Sequence, residues 1–332
     1  MDFVSIICPI YNEERFIEAC IQSVLAQDLP KEKWELLLVD GGSTDRTRTL
    51  IAPYEEKHSN IRLLDNPHRT APYAMNIGIR AAKGEYICRI DAHSTFPTNY
   101  VSTLLHYMSE LPDATNVGGV CQTLPANDGL KAQAISIACS HPLGVGNSTF
   151  RTATIDQPTQ VDTVPFGFWK KSLFDEIGPF DEELTRNQDD EFNARTIQHG
   201  GHIYLVPGIC TTYYARDTIA KTWRMFYQYG LFKPLVNKKI HHPATIRQFI
   251  PLLFVLSVIF GLPLAFVHPV LGILYVCGIG FYLLAVSSIS IKYHNTYLPL
   301  VFATIHFSYG LGYLCGIGKL LFKQPFNVES SR

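Results

Sequence analysis

Strand-like and helix-like segments alternate four times within the first hundred residues of this chain. Apolar runs at residues 3–10, 35–39, 61–64 and 85–90 alternate with segments whose apolar residues have helical spacing, such as 13–27 and 71–82. Alternation of this kind is typical of a parallel sheet with right-handed crossovers. We therefore predict an α/β fold with a Rossmann-like, mostly parallel sheet.

The chain changes character near residue 249, beyond which three stretches are almost wholly apolar, at approximately 250–267, 269–291 and 298–321. Each is near the roughly 20 residues that cross a bilayer core, although the first is short and contains Pro263. We predict a cytosolic catalytic domain over 1–235, followed by C-terminal transmembrane helices in a membrane region over 236–332.

Charge and the N-terminus bear on location and partners. The formal net charge of -1 gives no bulk attraction to nucleic acid. The N-terminus has no basic region or cleavage site of a signal peptide, so we expect a multi-pass protein of the cytoplasmic membrane whose catalytic domain faces the cytosol. Membrane lipids are expected partners, and a homo-oligomer is left open.

Basic residues flank the apolar stretches on both sides. By the positive-inside rule those ahead of the first stretch predict a cytosolic start, but three full crossings would place the last two outside. A re-entrant or interfacial stretch is therefore an alternative to three spans. The residues are Lys233, Lys238, Lys239 and Arg247 before the stretches, and Lys319 and Lys323 at their end.

Two predicted strands run directly into carboxylates, the second into Asp40 and the fourth into Asp91, with His93 two residues further on. Ligands of open α/β sheets bind outside the carboxyl ends of the strands. An acid and an imidazole at such a place can hold a ribose hydroxyl, or a cation such as Mg²⁺ or Mn²⁺ that offsets the charge of a nucleotide diphosphate. P-loop and dinucleotide-binding motifs are absent from the expected positions.

A second acidic cluster, Asp189, Asp190 and Glu191, stands at a predicted helix start, with Arg195 one turn later. The residues alone leave two interpretations open. The acids are surface residues favoured by the helix dipole, or one of them is a general base whose pKa is tuned by its neighbours.

Four ordered motifs, at residues 4–13, 39–45, 89–93 and 188–195, resemble the successive signatures of family 2 glycosyltransferases. Further segments at 145–148, 161–167, 180–184 and 213–216 resemble the bacterial exopolysaccharide branch, such as the succinoglycan glucosyltransferases. The resemblance covers roughly residues 2–235, and the apolar tail in kind. It implies a GT-A fold and inverting transfer from a nucleoside-diphosphate sugar, with a UDP-sugar expected.

The resemblance also implies roles for particular residues. Asp189 would be the catalytic base, and Asp91 with His93 would hold a metal, Mn²⁺ or Mg²⁺, on the diphosphate. Residues of the nucleotide-sugar site would be Pro9, Tyr11, Glu13, Asp40, Arg69 and Asp91. Residues near the acceptor or diphosphate would be Asp190, Glu191, Arg195, Trp169 and Arg216, with a packing role equally compatible for Trp169.

Two departures from the family pattern matter. The metal motif commonly has an acid where this chain has His93, whose imidazole can bind Mn²⁺. The Gln-x-x-Arg-Trp motif of processive synthases is missing, since residues 224–230 read RMFYQYG. Addition of a single sugar is therefore favoured over polymerisation.

From these observations we expect a membrane-anchored glycosyltransferase that moves one sugar to a polyprenyl-linked glycan acceptor in exopolysaccharide or cell-surface glycan synthesis. The alternatives are a polyprenyl-phosphate sugar transferase and a non-catalytic nucleotide-sugar-binding subunit of an export complex. A transporter is disfavoured, because the apolar stretches contain no intramembrane acid or base apart from His306 and so lack an obvious polar pathway.

Overall fold

The structure, a computed structural model, describes residues 2–146, 148–152, 154–243 and 245–326. Asn147, part of the motif at 145–148, lies outside this range. The chain divides into two compact units, one of Met1–Gln122 with Thr149–Tyr213 and one of Thr123–Ser148 with the chain from Tyr214 onward. The units interleave along the chain, and the domain ranges 1–235 and 236–332 stay a prediction.

Strands and helices alternate over the N-terminal hundred residues, and long helices follow. The strands are β1 Val4–Ile10, β2 Trp34–Asp40, β3 Ile61–Asp65, β4 Tyr86–Arg89, β5 Ser94–Thr95, β6 Ala114–Leu124, β7 Thr159–Gln160, β8 Phe168–Lys170 and β9 His202–Tyr214. The α-helices are α1 Ile17–Leu25, α2 Thr47–Lys57, α3 Ala71–Ala81, α4 Tyr100–Glu110, α5 Leu130–Ser140, α6 Pro142–Val145, α7 Thr149–Thr152, α8 Leu173–Glu176, α9 Gln188–Gln198, α10 Ile219–Ile240, α11 Phe249–Val267, α12 Pro269–Lys292 and α13 Leu298–Leu321.

The strands form one mixed sheet in the order β3-β2-β1-β4-β8-β6-β9-β5, with β7 paired to β9. Strands β3, β2, β1 and β4 are mutually parallel, and β8 is antiparallel to both β4 and β6. The predicted α/β fold is therefore confirmed. Its parallel half brings the carboxyl ends of β1, β2 and β4 to one edge.

The central strands are buried on both faces, which explains why their sequences are continuously apolar. One face buries Ile6 and Leu36 against α1 and α4. The opposite face buries Ile7 and Leu37 against α3. Because both faces are filled, polar side chains of these strands are confined to their ends.

The second unit is helical and contains the three apolar helices expected from the sequence. Three helical segments are long and apolar enough to cross a membrane, namely Ile246–Val267, Pro269–Lys292 and Leu298–Leu321. They differ in burial. Within an apolar stretch of 18 residues in each segment, the buried share is 11% in the first segment, 6% in the second and 56% in the third. Length and composition therefore give three candidates, but packing sets the third apart.

Candidate active site

Asp40 is the last residue of β2, and its carboxylate is fully buried. It accepts hydrogen bonds from the backbone nitrogen of Ser43 at 3.1 Å and from the Ser43 hydroxyl at 2.6 Å. Arg48 Nη1 lies 3.2 Å from Asp40 Oδ2. Asp40 thus fixes the turn that follows β2 and presents Ser43 and Arg48 at the edge of the sheet.

The turn after β1 is fastened to the turn after β2 by hydrogen bonds that cross between the two. The Asn12 backbone nitrogen donates to the Ser43 hydroxyl, and the Thr44 nitrogen donates to Asn12 Oδ1, both at 2.8 Å. The backbone nitrogen of Glu13 donates to the Thr47 hydroxyl at 2.8 Å. The two predicted motifs therefore form one rigid wall.

Gly41 permits a close approach at the same wall. A β-carbon there would lie 3.2 Å from Arg69 Cα and 3.4 Å from the Tyr11 ring. The structure thereby brings Tyr11 and Arg69 together beside the end of β2. Pro9 lies in register with Val39, half-buried and one residue before the end of β1. Four predicted nucleotide-site residues, Pro9, Tyr11, Asp40 and Arg69, thus share one edge of the sheet.

Asp91 lies two residues past the end of β4, and its side chain is 20% exposed. Nε and Nη2 of Arg89 each lie 3.3 Å from Asp91 Oδ1. The Arg89 side chain is only 11% exposed. A buried guanidinium at the strand end therefore pairs with the carboxylate that the sequence singled out.

His93 follows at the same edge and faces Glu13. Its Nδ1 lies 3.9 Å from Glu13 Oε1, and its ring packs edge-on against Tyr213 at 5.9 Å. Within the described ranges of the chain, no three His, Cys, Asp or Glu side chains lie close enough to hold a metal ion. Asp91 and His93 thus stand two residues apart at this edge, and the carboxylate of Glu13 faces the imidazole.

Asp189 occupies the first turn of α9, at the positive end of the helix dipole. Solvent reaches its side chain, yet surrounding protein atoms desolvate the carboxylate, and this raises its pKa above the ordinary 3.8. The charge of Asp190 raises the pKa further, whereas Arg89 opposes the shift. Solvent access together with a raised pKa suits a group that takes a proton from a hydroxyl.

Arg89 is the residue that sequence reasoning missed. Burial disfavours its charged form, but the charges of Asp91 and Asp189 outweigh this and raise the pKa of the guanidinium. One cation therefore interacts with both candidate acids. The sequence did contain a signal for its role, because Arg89 is an arginine in an otherwise apolar strand and stands two residues before Asp91.

Glu191 and Arg195 are engaged with the protein itself. Arg195 Nε and Nη2 lie 2.8 Å from Glu191 Oε1 and Oε2. The same guanidinium donates to the carbonyls of Ile177, Gly178 and Pro179. The ion pair holds the segment before α9 in place. Asp190 is half-buried beside it in the first turn of α9.

A buried amide network also supports α9, and no sequence pattern indicated it. Asn116 Nδ2 donates to Asn193 Oδ1 at 2.9 Å, and the Phe168 nitrogen donates to Asn116 Oδ1 at 3.0 Å. Asn193 Nδ2 donates to the Thr163 hydroxyl at 2.8 Å. These bonds tie α9 to β6 and β8.

The two remaining predicted residues lie elsewhere. Trp169 is 3% exposed and packs edge-on against Phe174, Phe180 and Phe192, so the structure places it in the core. Arg216 belongs to the helical unit, where it is half-buried next to Asp217.

Comparison with known proteins accords with this geometry. Residues 5–178 match the family model of glycosyl transferase family 2. A dolichyl N-acetyl-alpha-D-glucosaminyl phosphate 3-beta-D-2,3-diacetamido-2,3-dideoxy-beta-D-glucuronosyltransferase of Methanococcus voltae is 33% identical over 246 residues, 72% of this chain and 75% of that protein. The succinoglycan biosynthesis protein ExoA of Rhizobium meliloti is 29% identical over 265 residues, 79% of this chain and 78% of that protein.

Solved structures share the fold. The mannosyltransferase PcManGT from Pyrobaculum calidifontis, in complex with GDP-Man and Mn²⁺, superposes with a TM-score of 0.61 at 18% identity, over 96% of this chain and 87% of that one. TarS 1-349 of S. aureus in complex with UDP superposes with a TM-score of 0.51 at 15% identity, over 99% and 94% of the two chains.

The mixed sheet has the GT-A fold, and the family match makes the chain a glycosyltransferase that takes its sugar from a nucleotide donor. Within that class the chain belongs to glycosyl transferase family 2, whose members invert the anomeric configuration of the transferred sugar. The resemblance inferred from the four motifs is thereby confirmed. The roles of individual site residues stay predictions.

Proposed function

We propose that this enzyme adds one sugar from a nucleoside-diphosphate sugar, a UDP-sugar, to a polyprenyl-linked acceptor during synthesis of an exopolysaccharide or cell-surface glycan. The observation that carries the proposal is a pair of acids near the buried guanidinium of Arg89: Asp91, whose Oδ1 lies 3.3 Å from Arg89 Nη2, and Asp189 in the first turn of α9, whose charge raises the pKa of the same guanidinium. Two relatives support the acceptor class, since one is named for a dolichyl-linked sugar phosphate and the other for succinoglycan biosynthesis.

On the donor side, Tyr11 and Arg69 flank the place where the base and ribose would lie, next to Gly41. Asp40 is enclosed by its own partners and holds this wall in shape. Asp91 stands at the next strand end, where it can meet the ribose and the diphosphate. The donor would therefore lie across the ends of β1, β2 and β4.

Asp91 and His93 fit a divalent metal that arrives with the donor. Mg²⁺ and Mn²⁺ accept carboxylate oxygen, tolerate few protein ligands and complete their shell with phosphate oxygens and water. Imidazole suits Mn²⁺ better than Mg²⁺. When bound, the metal would neutralise charge on the leaving diphosphate.

Asp189 would accept the proton of the acceptor hydroxyl. The oxygen of that hydroxyl forms a bond to the anomeric carbon while the bond from this carbon to the diphosphate breaks, and the electron pair leaves with the diphosphate. Attack opposite to the leaving group inverts the configuration. The raised pKa of Asp189 strengthens it as a base.

The lipid-linked acceptor would explain why the catalytic unit is joined to apolar helices, because such an acceptor is confined to the bilayer. We propose that the catalytic unit faces the cytosol, where nucleotide sugars are made. The basic residues ahead of α11 support this orientation by the positive-inside rule.

The test is to incubate membranes containing the enzyme with a panel of radiolabelled UDP- and GDP-sugars and to separate the lipid extract. A labelled glycan of two or more sugars on a lipid carrier is expected with one donor. A product with a single sugar on a lipid monophosphate would instead identify a polyprenyl-phosphate sugar transferase. Donor binding without any labelled product would identify a non-catalytic subunit.

A further inference from the structure

We propose that α11 and α12 enter the lipid bilayer as a helical hairpin, and that α13 does not cross but lies over the base of this hairpin on the side from which it enters. Two of the three candidate segments would therefore enter the membrane. This inference concerns the helical unit alone and does not rest on the donor, the acceptor or the roles of the acids.

Helices α11 and α12 pack antiparallel along their length. Near the turn, Gly272 lies against Ala265, and further down Gly261 lies against the Tyr275 ring. Closer to the base, the rings of Phe254 and Tyr282 lie 4.8 Å apart. The two helices thus form one continuous hairpin whose turn is at His268.

Helix α13 touches only the lower part of this hairpin. Its His306 meets both arms, with Nδ1 3.0 Å from the Tyr282 hydroxyl and the ring 5.7 Å from Phe254. Further along α13, Gly310 contacts the Pro251 carbonyl, and the Tyr313 ring lies 5.8 Å from Phe249. These α11 residues are successively nearer to the base.

The first half of α13 also packs at the base, because Leu298 and Phe302 share a cluster with Val286, close to the end of α12. Both ends of α13 therefore lie near the base of the hairpin, and the middle of α13 makes the contacts that are nearest to the turn. A third spanning helix would instead run along the hairpin toward its turn.

Burial follows the same division. The buried residues are Leu252 and Val255 in α11 and Val286 in α12, all near the base. Beyond them the hairpin is apolar all round, and Phe266 at the turn is 86% exposed. Beyond Val255 and before Val286 the two arms comprise residues 256–267 and 269–285, which at about 1.5 Å per residue extend roughly 18 and 26 Å. The hairpin therefore reaches well into a hydrocarbon core of about 30 Å.

Helices α5 and α10 cover the rest of α13. Gly312 and Gly316 of α13 lie directly against backbone carbonyls of α10, those of Tyr227 and Leu231. At the other end, Asn295 Nδ2 donates to the Leu130 carbonyl of α5 at 2.8 Å. Since α10 carries five basic residues and is in backbone contact with α13, a crossing by α13 would draw charges into the bilayer, which is costly.

The charge distribution fits lipid as the occupant of the exposed hairpin surface. Residues 218–328 contain no Asp or Glu, and residues 248–291 contain no charged residue at all. The basic side chains therefore flank the hairpin at its base, where anionic headgroups attract them. With α13 on the near side, the basic residues that follow it no longer conflict with the positive-inside rule. The residues are Lys221, Arg224, Lys233, Lys238, Lys239, Arg247, Lys292, Lys319 and Lys323.

Single-cysteine reporters test this topology in the full-length chain. The exposed native cysteines Cys210, Cys277 and Cys315 are first replaced by serine. Cysteine is then introduced singly at four exposed positions, namely Ala126, His268, Thr296 and Gln324. Sealed membrane vesicles of known orientation are treated with a membrane-impermeant maleimide, before and after detergent is added.

We expect Ala126→Cys, Thr296→Cys and Gln324→Cys to label in the same vesicle orientation, and His268→Cys to stay unlabelled in that orientation. Labelling of Gln324→Cys only in the opposite orientation would show that α13 crosses and would overturn the proposal. Labelling of His268→Cys together with Ala126→Cys would also overturn it, because the hairpin would then lie outside the bilayer, as in a contact between two copies.

The detergent step controls for folding, since each reporter must react once the membrane is dissolved. Phe322→Cys provides a second reporter after α13, because Phe322 is 77% exposed. If cysteines at positions 322 and 324 label in the same vesicle orientation, the result reports the side of the membrane on which this end lies and not a local effect of one substitution.

Discussion

Arg89 is the residue on which the chemistry of the site converges, because its charge acts on Asp91 and Asp189 alike. It opposes the rise in the pKa of Asp189 that burial and Asp190 cause. The proposed base must be ionised to take a proton, so Arg89 helps to keep Asp189 active at lower pH.

Replacing Arg89 tests this link. Without the cation the pKa of Asp189 rises, so the acid limb of the pH–rate profile of Arg89→Gln should move to higher pH than in the wild type. Arg89→Lys keeps the charge and should restore much of the wild-type profile. If Arg89→Gln only lowers the rate at every pH and leaves the acid limb at the wild-type pH, Arg89 has a purely structural role.

The raised pKa of Asp189 also predicts a cost in stability. An acid with a raised folded-state pKa stabilises the fold below its ordinary pKa of 3.8, and this contribution is lost as pH rises through the folded value. Asp189→Asn should therefore melt at a higher temperature than the wild type at pH 7, and the difference should shrink toward pH 4. An equal or lower melting temperature at pH 7, measured by calorimetry, would argue against desolvation of this carboxylate.

The metal should bind together with the nucleotide. With Asp91 and His93 as the proposed protein ligands, we expect Mn²⁺ to bind weakly to the free enzyme and tightly once UDP is present, as measured by electron paramagnetic resonance of free Mn²⁺. His93→Ala should weaken the UDP-dependent binding, and His93→Asp should restore it with an oxygen ligand. Equal Mn²⁺ binding by the wild type and His93→Ala would remove His93 from the metal site.

At the scale of elements, the sequence predicted the alternation of strands and helices and both acidic strand ends, because apolar periodicity reports burial directly. The start of α2 is less evident. Ser43, Thr44 and Asp45 are residue types that favour helix N-caps, but α2 begins at Thr47. Ser43 and Thr44 form hydrogen bonds with Asn12 in the turn after β1, and the carboxylate of Asp45 accepts from the backbone nitrogens of both Glu14 and Thr47. No local pattern encodes these long-range bonds.

Other features of the site could not be predicted from the sequence, for related reasons. The ion pair of Glu191 with Arg195 has a local spacing, but its partners at 177–179 depend on the tertiary fold. The interleaving of the two units was hidden as well, because α5 is a short helix that resembles any other surface helix in sequence.

The contact between α10 and α13 depends on glycine and can be tested with a matched pair. A β-carbon at Gly316 would collide with the Leu231 carbonyl, whereas at Gly318 it would meet open space. Gly316→Ala should lower the melting temperature in detergent, at a cost of about 1–3 kcal/mol for overpacking. Gly318→Ala should leave it unchanged or raise it, because alanine favours the helix. Equal effects of both substitutions would contradict the close packing of α10 on α13.

At the scale of the whole molecule, the proposed function requires a soluble donor to meet an acceptor that never leaves the bilayer. The chain combines a GT-A unit for the first task with an apolar hairpin that can anchor the enzyme for the second. The sequence predicted this combination, since three almost wholly apolar stretches after an α/β region are seldom found in a soluble protein. It could not predict how many helices cross, because only packing separates α13 from its neighbours.

The most direct measurement compares the wild type with Asp189→Asn in membranes supplied with the active radiolabelled donor and extracted for lipid-linked products. We expect the wild type to form the labelled lipid and Asp189→Asn to lose transfer by about 10²–10⁴-fold, the usual contribution of a general base. Calorimetry should show that this variant still binds the nucleotide. Transfer by Asp189→Asn at the wild-type rate would contradict the proposed catalytic base.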